Sequence, residues 1–238
     1  MTKPTFRFEK KLWRRGFKFV AGADEVGRGC FAGCVAAAVV VFTRASLDIF
    51  AAPDVPRIDD SKKLTGAQRE KAASWIKKKS LAYGVGVGSV AEINRLGMAR
   101  ATHSAFRRAI IKVNRKVQSR VDYLLVDAFY IPYVRGLKVG IKNSITERRN
   151  PKHFNKGSRQ LPIIDGDEKS ISVAAASIIA KVYRDKVMIN LGKKSPFTIY
   201  GWERNKGYGT QEHQGAIKKY GITKYHRKKF VETFLTTN

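Results

Sequence analysis

Asp24 and Glu25 stand side by side in AGADEVGRGCFAG, residues 21–33. Two carboxylates about 4 Å apart repel by roughly 4 kcal/mol at an effective dielectric near 20. Such a pair needs water between its members or a cation shared by them. Asp127 closes the apolar run VDYLLVD, and Asp185 follows Lys181 by four residues in a strongly apolar helical stretch. Several acids brought to one point suit a hard divalent cation with oxygen ligands. Magnesium or manganese fits better than zinc, because the four histidines are scattered and QEHQ lacks a second histidine at ligand spacing. Cys30 and Cys34, beside an apolar strand, read as buried small hydrophobes. Taken singly, Asp24–Glu25 also reads as a solvated turn and Asp185 as a helix-surface charge.

The elements that would position these acids follow from hydrophobic period. FKFVAGAD (17–24) and GCVAAAVVVF (33–42) read as strands, the second apolar on both faces and therefore central. LAYGVGVGSV (81–90), VDYLLVDAF (121–129) and LPIID (161–165) supply three more. Thr65 with Gln68, and Ser89 with Glu92, have capping-box spacing, the second opening one long helix through INRLGMARATHSAFRRAIIKVNRKV. A basic stretch from Gly136 to Gln160 reads as a strand fragment and a mobile loop. The apolar helix KSISVAAASIIAKVYRDKVMINLGKK follows, then a helix stopped by Gly221 and a last helix in HRKKFVETFL.

Neighbouring side chains on a strand face opposite ways, so Asp24 and Glu25 converge only where the strand ends and Gly27–Arg28–Gly29 turns the chain. If the first and fourth strands run parallel, Asp24 and Asp127 reach the same sheet edge, at the carboxyl ends where open α/β sheets bind ligands. Asp185 can project towards that edge. The expectation is one α/β domain over 1–238, with a core at about 17–190 and a helical C-terminal extension at about 191–238.

Basic residues outnumber acidic ones 47 to 19, giving a net charge of +28. Such a field attracts polyanions, nucleic acid first among them, although a solubility role would give the same composition. The longest apolar run, CVAAAVVVF, is too short to cross a bilayer, and the first sixteen residues hold no apolar segment of a secretory leader. No membrane partner is expected. Two cysteines argue against a disulfide framework and for a reducing cytoplasm.

AGADEVGRG, DDSKKLT, LLVDA, GDEKSISVAAASIIAKVYRD and NKGYGTQEH stand in the order found in type 2 ribonucleases H, and the chain resembles the bacterial ribonuclease HII family from about Leu12 to the Gly221 region. That resemblance implies a ribonuclease H-like fold: a mixed five-stranded sheet flanked by helices, with a helical C-terminal extension. It maps four metal ligands onto Asp24, Glu25, Asp127 and Asp185, holding two magnesium or manganese ions. It implies an endoribonuclease acting on RNA–DNA hybrids and on single ribonucleotides embedded in duplex DNA. Cleavage on the 5′ side would leave a 3′-hydroxyl and a 5′-phosphate, one ion activating water and the other stabilising the leaving oxygen. It assigns Gly27, Arg28 and Gly29 to the ribose 2′-hydroxyl, Tyr208 to the sugar at the RNA–DNA junction, and Lys62, Lys169 and Ser170 to phosphates. A monomer is expected. Cys30 and Cys34 stand where the family usually has proline, and Ala128 where it usually has glycine. A catalytically silent basic binding protein, or a nuclease of this fold acting on DNA, are the competing readings.

Overall fold

The structure, a computed structural model, describes residues 3–137 and 158–237. The expected strand fragment and loop within 138–157 lie outside the described residues. Among the described residues, five strands form one sheet: β1 (Val20–Val26), β2 (Val35–Phe42), β3 (Ala82–Gly88), β4 (Tyr123–Asp127) and β5 (Gln160–Ile163), in the order β3-β2-β1-β4-β5. β1 pairs antiparallel with β2 and parallel with β4; β2–β3 is antiparallel and β4–β5 parallel. The sheet is therefore mixed, flanked by helices and followed by a helical C-terminal region.

Ten α-helices are described: α1 (Arg7–Arg14), α2 (Ser46–Phe50), α3 (Gly66–Lys79), α4 (Val90–Leu96), α5 (Met98–Lys116), α6 (Gly166–Lys169), α7 (Ile171–Gly192), α8 (Trp202–Asn205), α9 (Gln211–Tyr220) and α10 (Lys228–Thr237). Both expected capping boxes form, at Thr65–Gln68 and Ser89–Glu92. The long helix expected after Ser89 is instead two helices. Gly97, at φ 83°, turns the chain between α4 and α5, a backbone state that interrupts a helix.

Every residue of β2 is buried, as its two-sided apolar pattern requires. Ala38, Val40 and Phe42 pack with α3 and α7 on one face, while Ala37, Val39 and Val41 pack with α5 on the other. The glycine alternation of β3 brings α5 close. A β-carbon on Gly84, Gly86 or Gly88 would lie 1.9–2.6 Å from the carbonyl oxygens of Ala109, Ala105 and Ala101. Across the sheet, one on Gly22 would lie 2.0 Å from the backbone of Ser172. Small residues on both partners thus set α5 and α7 against the sheet and fix what α7 presents to the end of β1. No helix of the described residues is long and apolar enough to cross a membrane.

Candidate active site

The β1–β4 register decides where the acids go. Ala23 pairs with Val126, and the next residue on each strand is an aspartate: Asp24 and Asp127. They share the carboxyl-end edge, as expected from two parallel strands. β1 runs further than its sequence suggests, because Asp24, Glu25 and Val26 all pair with β2. Asp24 and Glu25 therefore do not converge at a turn. Ala21 and Ala23 pack on the α5 side, so alternation starts Asp24 towards α7 and Glu25 from the opposite face, yet the charge of Glu25 still acts on Asp24 and that of Asp127 on Glu25.

Asp24 is 6% exposed, accepts the Glu25 N–H through Oδ1 at 2.7 Å, and meets the Ser177 hydroxyl of α7. Glu25 Oε1 accepts from Arg28 Nη1 at 3.2 Å, while its buried Oε2 has no hydrogen-bond partner. Asp127 Oδ1 accepts the Gly166 N–H at 2.8 Å. That bond draws the first turn of α6 to the end of β4, and α6 carries Asp167.

Asp167 belongs with the other acids. It is 6% exposed and shares a side-chain hydrogen bond with buried Asp60. Its charge acts on Asp24, and that of Asp127 acts on it. Burial first, and then its acidic neighbours, push Asp167 up to about 6. Burial pushes Glu25 up to about 7, with Asp127 adding to it and Arg28 opposing. Asp24 is raised well above the usual carboxylate range by burial and by Glu25, and Asp127 is raised by burial. Lys62 is raised as well: burial would lower it, but Asp60, Asp167, Asp24 and Asp127 more than offset that. Its ammonium lies 4.0 Å from Asp167 Oδ2.

Asp185 departs from its expected place. Its carboxylate pairs with Lys181 at 2.9 Å, one turn back on α7, and its charge reaches Lys206 and Tyr208. Ser177, which faces Asp24, is eight residues earlier, so Asp185 sits about 12 Å further along the axis and about 80° around it. The fourth acid facing Asp24 and Asp127 is Asp167.

The remaining expected residues divide. Gly27 adopts φ +96°, and a β-carbon there would lie 2.1 Å from Arg184 Nε. Gly29 has open space around it, and Arg28 stands over the Phe129 ring at 5.4 Å. Tyr208 is 38% exposed, with Lys181 Nζ 5.5 Å and Arg184 Cζ 5.7 Å from its ring centre. Lys62 stands beside the acids. Lys169 is turned away, donating to the Ile164 carbonyl at 2.6 Å and reaching Asp165 at 3.4 Å. Ser170 is fully buried: it caps α7 and donates to Glu9 Oε1 at 2.6 Å, so its hydroxyl is not presented to a phosphate.

Sequence reasoning missed Asp60 and Asp167, although both lie inside quoted motifs, DDSKKLT and GDEKS. It also missed Arg184 and Arg227, both fully buried. Arg184 donates to the carbonyls of Ala32, Cys34 and Lys206, and Arg227 to those of Arg28, Gly33 and Cys34. These guanidiniums tie the glycine turn to the Tyr208 segment. Cys30 is buried as expected and Cys34 is partly exposed; both are free thiols.

The donor set fits a hard divalent cation. It offers carboxylate oxygens only, one of them buried and unpartnered at Glu25, and the burial, with the neighbouring negative charge added to it, that raises these acids is what a bound cation would offset. Among the described residues, no three His, Cys, Asp or Glu side chains are already gathered as a metal-holding group.

Residues 21–233 match the family model for ribonuclease HII. The chain is 42% identical over 228 residues to ribonuclease HII of Caldanaerobacter subterraneus subsp. tengcongensis, covering 96% of this chain and 80% of that protein. The chain belongs to the ribonuclease HII family. Ribonuclease HII of Ruegeria pomeroyi is 39% identical over 230 residues, covering 97% and 83% of the two chains. Among solved structures, ribonuclease HII in the PCNA complex from Archaeoglobus fulgidus aligns with a TM-score of 0.61 at 25% identity, over 88% of this chain and 93% of that one. The ribonuclease H2 of Pyrococcus horikoshii gives 0.61 at 24%, over 91% and 99%, a likeness of fold.

Proposed function

We propose that this ribonuclease HII family member is an endonuclease cutting the RNA strand of RNA–DNA hybrids and incising 5′ of single ribonucleotides in duplex DNA. The products would carry a 3′-hydroxyl and a 5′-phosphate. The observation that carries the reading is the acidic cluster at the adjoining carboxyl ends of β1 and β4, with Asp24 and Asp167 buried and Glu25 and Asp127 partly buried. It stands out in a chain whose charge of +28 draws polyanions.

Asp24, Glu25, Asp127 and Asp167 would hold two magnesium or manganese ions. Such ions, when bound, supply Lewis acidity towards phosphate oxygens and water. Asp60 supports Asp167 from behind through their shared hydrogen bond. Lys62, at the rim of the cluster, draws the substrate phosphate towards the acids. The turn at Gly27–Arg28–Gly29 offers backbone groups to the 2′-hydroxyl, and open space at Gly29 permits that approach. Tyr208 packs on the sugar next to the ribonucleotide.

Matched duplexes, one with a single ribonucleotide and one all DNA, incubated with magnesium or manganese, test the reading. Incision of the first alone, leaving a 5′-phosphate, is expected. Cutting of both would point to a DNA nuclease, and tight binding without cutting to a silent binder; either outcome overturns the proposal.

A further inference from the structure

We propose that His213 and His226 form a neutral pair locked in one combination of tautomers, and that the lock serves to keep a proton on His213 Nδ1, the group that positions Tyr208 from behind. The inference rests on the reading that Tyr208 meets the substrate.

Hydrogen-bond accounting fixes every ring nitrogen. His213 Nδ1 lies 2.9 Å from the Tyr208 carbonyl oxygen, which only accepts, so Nδ1 carries the proton. The Thr223 N–H donates to His226 Nδ1 at 2.8 Å, so that nitrogen is bare and His226 carries its proton on Nε2. His226 Nε2 lies 3.2 Å from His213 Nε2, and the Trp202 indole N–H points at the same His213 nitrogen from 3.0 Å. His213 Nε2 thus accepts from two donors and must be bare. Both rings are neutral, and no other assignment satisfies all four contacts. A further proton on His213 would set an N–H against two others.

The surroundings keep the pair in this state. Both imidazoles are fully buried, and burial lowers the proton affinity of each. The Tyr200 ring packs on Trp202 at 5.1 Å and edge-on to His226 at 4.8 Å, and Phe31 closes the other side of His213 at 6.2 Å. Glu212, on the same helix as His213, acts on it by charge and is paired with Arg204. Thr223 Oγ1 stands 3.1 Å from His226 Nδ1.

The lock ends on the backbone of Tyr208. Its carbonyl takes the His213 proton together with the Thr210 N–H at 2.9 Å, and its N–H goes to the Asn205 carbonyl at 3.0 Å. Arg184 holds the Lys206 carbonyl, and Asn205 Oδ1 holds the Gly207 N–H. With the backbone fixed on both sides, the Tyr208 ring is presented in one place, as a precise contact requires.

Two variants separate positioning from folding. In His213→Asn the amide nitrogen sits near the Nδ1 position and keeps the bond to Tyr208, losing the acceptor for Trp202 and His226. In His213→Gln the acceptor survives and the bond to Tyr208 is lost. On a single-ribonucleotide duplex, His213→Gln should lower kcat about tenfold, the value of one buried hydrogen bond, with KM nearly unchanged. His213→Asn should stay within about threefold of wild type. In a Tyr208→Ala background the difference between the two should vanish. Equal losses in both variants, or a difference that persists without Tyr208, would overturn the inference. Long-range 15N–1H spectra of the imidazoles at pH 7 give a readout independent of catalysis. They should show the Nδ1–H form of His213 and the Nε2–H form of His226, and any other state refutes the lock. Should the protein cut no duplex, the functional reading alone falls, and the same variant cycle is scored on duplex binding.

Discussion

Asp127 Oδ1 accepts the Gly166 N–H at 2.8 Å, and this contact delivers the neighbouring Asp167 to the acids of β1. Replacing Asp127 or Asp167 with Asn should reduce incision of a single-ribonucleotide duplex by about a hundredfold or more, the scale of losing a group aimed at transition-state charge. Duplex binding should survive. Asp185→Asn, which breaks the pair with Lys181 and removes a charge felt at Lys206 and Tyr208 but none from the acids at Asp24 and Asp127, should stay within about fivefold of wild type. Cleavage rates of the three variants, measured side by side, check the assignment.

The raised acids predict how metal and pH interact. Glu25 near 7 and Asp167 near 6 stand above their ordinary values of 4.5 and 3.8. Folded-state values above unfolded ones mean a stability contribution that is complete below about pH 4 and is lost as pH rises through about 6 for Asp167 and about 7 for Glu25. Without divalent ions, Tm should carry that loss. Added magnesium should therefore raise Tm more at pH 7.5 than at pH 5. Equal shifts at both pH values would contradict the electrostatic account.

Gly27→Ala meets two obstacles, a φ of +96° and the Arg184 guanidinium 2.1 Å from the new β-carbon. It should cost about 1–3 kcal/mol in urea unfolding and abolish incision. Gly29→Ala finds open space, so its stability should stay within about 0.5 kcal/mol of wild type. Any loss of ribonucleotide selectivity in Gly29→Ala then reports contact with substrate.

Binding should weaken steeply with salt. If about five duplex phosphates are neutralised, log affinity falls with a slope of about −4.5 against log salt, measurable by fluorescence anisotropy. A flat response would separate the charge of +28 from nucleic-acid binding.

Much of the frame was legible because burial imposes period. The all-apolar β2, the glycine alternation of β3 and both capping boxes lie where their patterns put them. The meeting of Asp24 with Asp127 was legible too, since two strands ending in aspartate need only be parallel neighbours. The length of β1 was not: its pairing through Val26 depends on β2, and it turns Asp24 and Glu25 to opposite faces. Asp167 was hidden for another reason. It reaches the site through a short turn held by Asp127, a tertiary contact without a periodic signature, whereas Asp185 advertised itself on a long helix. The buried arginines were equally silent, because a guanidinium that binds carbonyls needs no acidic partner in the sequence.

Glu9 ties the beginning of the chain to this chemistry. Its buried carboxylate accepts from Ser170 Oγ and from the Ser172 N–H and hydroxyl, at the first turn of the helix that also offers Ser177 to Asp24. The amino-terminal segment is thus a clasp on the scaffold beneath the sheet edge that carries the acids. Trimming it to shorten the protein would loosen that helix at its root, some distance from any residue that meets the substrate.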